Sequence, residues 1–101
     1  MQQQIRTILD QAEVGAELKV SGWLRTRRDS SGFSFLELTD GSCLAGLQVI
    51  ADQSLVNYTT EIKKLTIGCS VEVSGLLQAS PAKGQAVEMV ASAIRVLGWA
   101  D

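Results

Sequence analysis

Apolar and polar residues alternate with a period of two in five separate stretches of this 101-residue chain, and no other feature constrains its fold as strongly. Successive side chains on a β-strand point to opposite faces of a sheet, so such alternation describes strands with one wall buried and one wall wet. Leu18, Val20 and Leu24 share one phase, with Lys19, Ser21, Arg25 and Arg27 in the other. Leu36 and Leu38 take the buried phase of the next stretch, which turns Phe33, Phe35 and Glu37 outward. In the third, Leu47 and Val49 point inward and Gln48 points out beside Gly46. Val71, Val73 and Leu77 alternate with Glu72, Ser74 and Gln78, and in the last stretch Val87 and Met89 flank an outward Glu88.

Turn residues separate these stretches and set their bounds. The first strand is expected over Leu18 to Arg28, with Gly22 marking a bulge, and a turn at Asp29 to Gly32 leads to a second strand, Phe33 to Thr39. A turn at Asp40 to Ser42 precedes a third strand, Cys43 to Ala51. The fourth runs through Val71 to Gln78, and a loop from Ser80 to Gly84 leads to a fifth over Gln85 to Leu97. Two segments carry helical spacing instead. Ile5, Ile8, Leu9 and Ala12 form a short N-terminal helix stopped by Gly15, and Leu55, Tyr58, Ile62 and Leu65 form a connecting helix. Ser54 is its expected N-cap, and Lys63 and Lys64 suit its last turn. Three strands, a helix and two strands predict an all-β domain with short helices over residues 1–101. The order is that of the OB-fold, a five-stranded Greek-key barrel in which strand 1 pairs with both strands 2 and 4. A chain of this length buries most of its apolar surface in one core without metal or disulfide staples.

The outward phase carries the chemistry. An unstacked base offers a flat π-face and a hydrogen-bonding edge joined to a charged phosphate, and reading it takes a ring, an amide or carboxylate, and a guanidinium. Phe35, Gln48 and the cluster Arg25, Arg27 and Arg28 supply all three, with Phe33 beside them. The formal net charge of −2 excludes a nonspecific binder held by bulk charge, so such a site must be a local patch. No histidine is present, and no serine or cysteine has an evident activating partner, so this segment is not expected to catalyse a reaction. Cys43 and Cys69 without histidine make no four-ligand zinc site and are read as reduced, half-buried strand residues. Trp23 and Trp99 are read as packing residues. No apolar run approaches the roughly 20 residues of a bilayer crossing and Met1 to Gln4 carries no signal-peptide core, so a cytoplasmic protein is expected.

The segments GWLRTRRD (22–29), GFSFLELTDGSCLAGLQV (32–49), NYTTEIKKLTIGCSVEVSG (57–75), SPAKGQAVEM (80–89) and the closing VLGW (96–99) together resemble the N-terminal anticodon-binding domain of class IIb aminoacyl-tRNA synthetases. The longer turn TDGSCLAG and the SPAKGQ loop place the resemblance on the asparaginyl branch; Ala82 stands where that family often has glycine. The resemblance implies that Phe35 stacks on the middle anticodon base and Gln48 bonds its edge. Arg27 and Arg28 would contact anticodon bases or phosphates, and Glu88 would accept hydrogen bonds from a first-position guanine. Ser80, Lys83 and Gln85 would lie near the third base. The implied partner is a tRNA with anticodon GUU. The implied parent is a homodimeric ligase joining asparagine to tRNA with ATP and Mg²⁺ in a catalytic domain this chain lacks; no cofactor or metal is expected in the domain itself. An aspartyl-type anticodon domain, a free-standing single-strand binder and a protein-interaction module are the alternatives on the same barrel.

Overall fold

A computed structural model describes residues 4–11, 13–80 and 87–100. The elements follow in the order α1 (Ile5–Gln11), β1 (Glu17–Ser30), β2 (Phe33–Thr39), β3 (Leu47–Asp52), a 3₁₀ turn η1 (Ile62–Lys64), β4 (Ser70–Ala79) and β5 (Val87–Gly98). The strands close a barrel in the order β1-β2-β3-β5-β4, with β4 returning to β1. All neighbours are antiparallel except β3 and β5, which run parallel with Val49 opposite Met89 and Ile50 opposite Val90. This is the expected five-stranded OB barrel, and β1 pairs with both β2 and β4 as the alternation requires. Its interior is filled by the inward phase, including Val20, Leu24, Leu36, Leu38, Val49, Val71, Val73 and Met89. Ile5 and Ile8 of α1 join that core.

β1 departs from expectation in a way that decides the site. Through Gly22 its pairing with β4 is regular, Gly22 facing Val71, so the expected bulge is not there. A Cβ at Gly22 would stand 2.7 Å from the Thr39 carbonyl oxygen, and glycine is needed for this close approach. The register instead slips between Leu24 and Thr26, at Arg25. One extra residue there reverses the facing of everything beyond it. Arg27 now pairs with Leu36, on the inner phase, and Arg28 pairs with Phe35, on the outer phase.

Residues 53–65 are a second correction. The expected helix over Leu55 to Leu65 is a chain of turns closed by η1. Its N–H groups reach back unevenly: Tyr58 to Leu55, Glu61 to Asn57, Ile62 also to Asn57, and Lys63 to Tyr58. Val56, Thr59 and Thr60 are β-branched and poor helix formers. The Asn57 amide leaves the segment, donating to the Ile94 carbonyl at 2.8 Å as well as to Glu61 at 2.7 Å. Ser54 is not the cap; its own N–H donates to Asp52 Oδ1 at 2.8 Å. The apolar stripe still faces the core, with Tyr58, Ile62 and Leu65 buried.

Smaller differences have local causes. β3 begins at Leu47, not Cys43, because Asp40 folds the preceding loop by accepting from the Ser42 N–H at 3.0 Å and the Ser42 hydroxyl at 2.6 Å. Neither cysteine lies in a strand: Cys43 is half-buried in that loop, and Cys69 is fully buried just before β4. Trp23 and Trp99 leave 51% of their surface open, so neither is a core residue. Ala12, Lys83, Ala86 and Gln85 lie outside the described residues, as does most of the Ser80 to Gly84 loop.

Candidate nucleic-acid interface

The outer wall formed by β1, β2, β3 and β5 holds a groove of about 410 Å³ lined by Arg28, Phe33, Phe35, Gln48, Ile50, Asp52 and Glu88. β2 supplies the rings from its wet phase. Phe33 and Phe35 meet edge to face, centroids 5.1 Å apart and planes at 81°, a geometry that aromatic quadrupoles favour. The Arg28 guanidinium carbon lies 4.6 Å from the Phe35 centroid, within cation–π range. The guanidinium therefore covers one face of the ring and sets a cation against it.

The polar edge groups come from the neighbouring strands. Gln48 pairs with Glu37 across β2 and β3. One step back from the Val49 to Met89 pair along both parallel strands sets Gln48 beside Glu88. Glu88 is 3% exposed, among the few buried polar residues described. Its Oε2 accepts a hydrogen bond from Gln78 Nε2 at 2.8 Å. Asp52 closes the other end, its carboxyl held below the usual range by the Ser54 N–H it accepts and by the Ser54 side chain. Acceptors thus line the floor while one cation stands over the ring. That arrangement suits a base that donates hydrogen bonds from its edge and carries a phosphate outside.

Two other depressions match or exceed this groove in size, about 400 Å³ between β1, β4 and β5 and about 640 Å³ beside Thr26, Leu65 and Ala100. Neither has a ring among its lining residues, so neither can stack a base.

The sequence-predicted residues divide accordingly. Arg28, Phe33, Phe35, Gln48 and Glu88 share the groove. Arg25, at the bulge, donates from Nη1 to the Leu44 carbonyl at 3.0 Å and lies 3.9 Å from Glu37 Oε1. Arg27, expected on the outward phase, instead sends Nη1 to the carbonyls of Ile62 and Lys63 and sets Nε 3.5 Å from Asp29 Oδ1. Ser80 follows β4 at a half-buried position, and Lys83 and Gln85 lie outside the described residues.

Behind the groove runs a polar chain that sequence reasoning missed. The fully buried Ser34 donates its hydroxyl to Asp29 Oδ1 at 2.7 Å and lies 2.9 Å from the Tyr58 hydroxyl. A serine has one hydroxyl proton, so Tyr58 is the donor in the second bond. Asp29 also meets Arg27, and the chain therefore ties the β1–β2 hairpin to residues 58–63. The sequence signal was a serine on the buried phase of β2.

Residues 18–97 match the model of one protein family, described as an OB-fold nucleic acid binding domain. This chain belongs to that family. It is 55% identical over 101 residues to asparagine–tRNA ligase of Desulfotalea psychrophila, covering 100% of this chain and 22% of that protein. Against the same-named protein of Rhodopirellula baltica the identity is 54% over 100 residues, covering 94% and 20%. The chain thus spans about a fifth of the length of these relatives. Among solved structures, aspartyl-tRNA synthetase from Entamoeba histolytica superposes with a TM-score of 0.83 at 16% identity, covering 100% of this chain and 22% of that one. At that identity the likeness concerns the fold alone. No helix among the described residues is long and apolar enough to cross a membrane.

Proposed function

We propose that this chain is the anticodon-binding part of an asparagine–tRNA ligase, reading unstacked anticodon bases in the Phe35 groove. The carrying observation is the convergence of Arg28, Phe33, Phe35, Gln48 and Glu88 on one groove, in a chain 55% identical to a protein of that name. Phe35 stacks on the middle base and Gln48 bonds its edge. Glu88 accepts the N–H donors that guanine, alone among the bases, presents side by side on its Watson–Crick edge. Arg28 serves the adjoining phosphate, with Arg25 further along the hairpin. Ser80, Lys83 and Gln85 flank the third base. Arg27 contributes by holding the hairpin, since its guanidinium is already engaged.

The whole ligase would join asparagine to its tRNA at the expense of ATP with Mg²⁺, as a homodimer in the cytoplasm, through a catalytic domain outside these 101 residues. The reading is tested by titrating the chain with an RNA stem-loop carrying GUU and one with the first two bases replaced. A preference of about 1–3 kcal/mol per base is expected. Equal affinity at one salt concentration would reject base reading.

A further inference from the structure

We propose that Gln78 is a positioning residue for the first base, fixing the plane of the Glu88 carboxylate; the inference rests on the reading of Glu88 given above. Gln78 is an exposed amide near the C-terminal end of β4, directly opposite Glu88 in the β4–β5 register and therefore on the same face. Its Nε2 donates to Glu88 Oε2 at 2.8 Å, the one side-chain hydrogen bond given to Glu88 among the described residues. A carboxylate offers about four lone-pair sites, so a single donor leaves acceptor capacity free. That capacity lies on a residue lining the groove beside Gln48.

The terminal torsion of glutamate is broad and nearly two-fold. Without a partner the carboxylate would sample more than one plane, although the residue is only 3% exposed. The Gln78 bond selects one of them. A fixed carboxylate can meet two parallel donors at once, as guanine N1–H and N2–H require. Adenine presents an acceptor at that ring nitrogen and leaves the buried carboxylate facing a lone pair, which is costly in a site built to receive donors. Gln78 thereby acts on discrimination at the first base, without touching the stacked base or a phosphate. Sequence alone places Gln78 in the wet phase of β4. The β5 partner of that position follows only from the register, which shifts between Ser74 and Gly75.

The test uses the 101-residue chain with two RNA stem-loops, loop triplets GUU and AUU, at several salt concentrations. Gln78→Met keeps the side-chain length and removes the donor. Its ratio of GUU to AUU affinity should fall about fivefold or more, the low end of what a bidentate base contact discriminates, through weaker GUU binding and with the salt slope unchanged. Gln78→Arg returns an N–H donor, and because its added charge strengthens both hairpins alike, it should restore the ratio. Glu88→Gln separates the two levels of argument. If Glu88→Gln loses the preference for GUU while Gln78→Met keeps the parent ratio, the role of Gln78 is overturned and the reading of Glu88 stands. If Glu88→Gln also keeps the parent ratio, both fall together. A Gln78→Arg ratio as low as that of Gln78→Met would likewise overturn the proposal, because a donor would then not be what the position supplies.

Discussion

Arg27 and Arg28 are neighbours in sequence with opposite roles: alternation puts them on opposite faces, and a single extra residue in β1 decides which of them faces out. Arg28 shares the outer phase with Phe35 and lies over its ring. Arg27 shares the inner phase with Leu36 and donates to the carbonyls of Ile62 and Lys63 in η1. Arg28→Ala should therefore flatten the dependence of log K on log salt by about 0.7, one counterion released from a single strand. Arg27→Ala should leave that slope unchanged and lower stability by about 1–2 kcal/mol, the scale of a charge-assisted hydrogen bond discounted for partial exposure. Phe35→Leu should cost about 1–3 kcal/mol of RNA binding with no change in slope. Denaturant melts and binding isotherms on the three variants separate these outcomes; a change in slope for Phe35→Leu would mean that the ring is not acting by stacking. The cluster of arginines was legible in the sequence. Their facing was not, because a bulge at Arg25 leaves no composition signal, whereas Gly22 offers a false one.

At the scale of elements, the barrel is steadied by contacts that join segments far apart in the chain. The first N–H groups of α1 are capped from the β2–β3 loop: Ile5 N–H donates to Asp40 Oδ2 at 2.9 Å and Arg6 N–H to Ser42 Oγ at 3.0 Å. Partial burial pushes the Asp40 carboxyl up, but the Ser42 hydroxyl and the Ile5 and Ser42 N–H donors outweigh it and hold the carboxyl below its ordinary 3.8. A group depressed in the folded state contributes stability above its unfolded value and loses it as pH falls through the folded one. Thermal melts from about pH 5 down to about pH 2 should therefore show Asp40→Asn less acid-sensitive than the parent; parallel curves would exclude this cap as a source of acid lability. The hairpin under the rings depends on a second such contact. Ser34→Ala strands the buried Tyr58 hydroxyl and should cost about 1–3 kcal/mol of stability, against about 1 kcal/mol for Tyr58→Phe, which removes the donor itself. Equal losses would mean that Tyr58 finds another acceptor. The strands and α1 were legible because each carries its own period. The turns at residues 53–65 were not, because their apolar spacing mimics a helix while Asn57 spends its amide on β5.

For the whole molecule, the closed strand order and the net charge of −2 act together. A barrel without open edges presents walls of distinct character, and a near-neutral balance leaves nonspecific attraction to RNA weak. Binding must then concentrate where cation, ring and acceptor coincide, on the wall of β1, β2, β3 and β5. The parallel pairing of β3 with β5 makes that wall continuous, bringing Glu88 beside Gln48 across 40 residues of chain. Alternation showed that both point outward; that they are neighbours required the closed topology. The opposite wall, where Lys19, Glu72 and Arg95 face out, carries the half-exposed Trp23 of β1 but neither ring of the groove, Phe33 or Phe35. The most direct measurement is an NMR titration of the ¹⁵N-labelled chain with a GUU stem-loop. Resonances of Arg28, Phe33, Phe35, Gln48, Gln78 and Glu88 should shift together and saturate at one equivalent, while Lys19, Glu72 and Arg95 stay in place. Shifts confined to the β1–β4 wall would contradict the assignment of the groove.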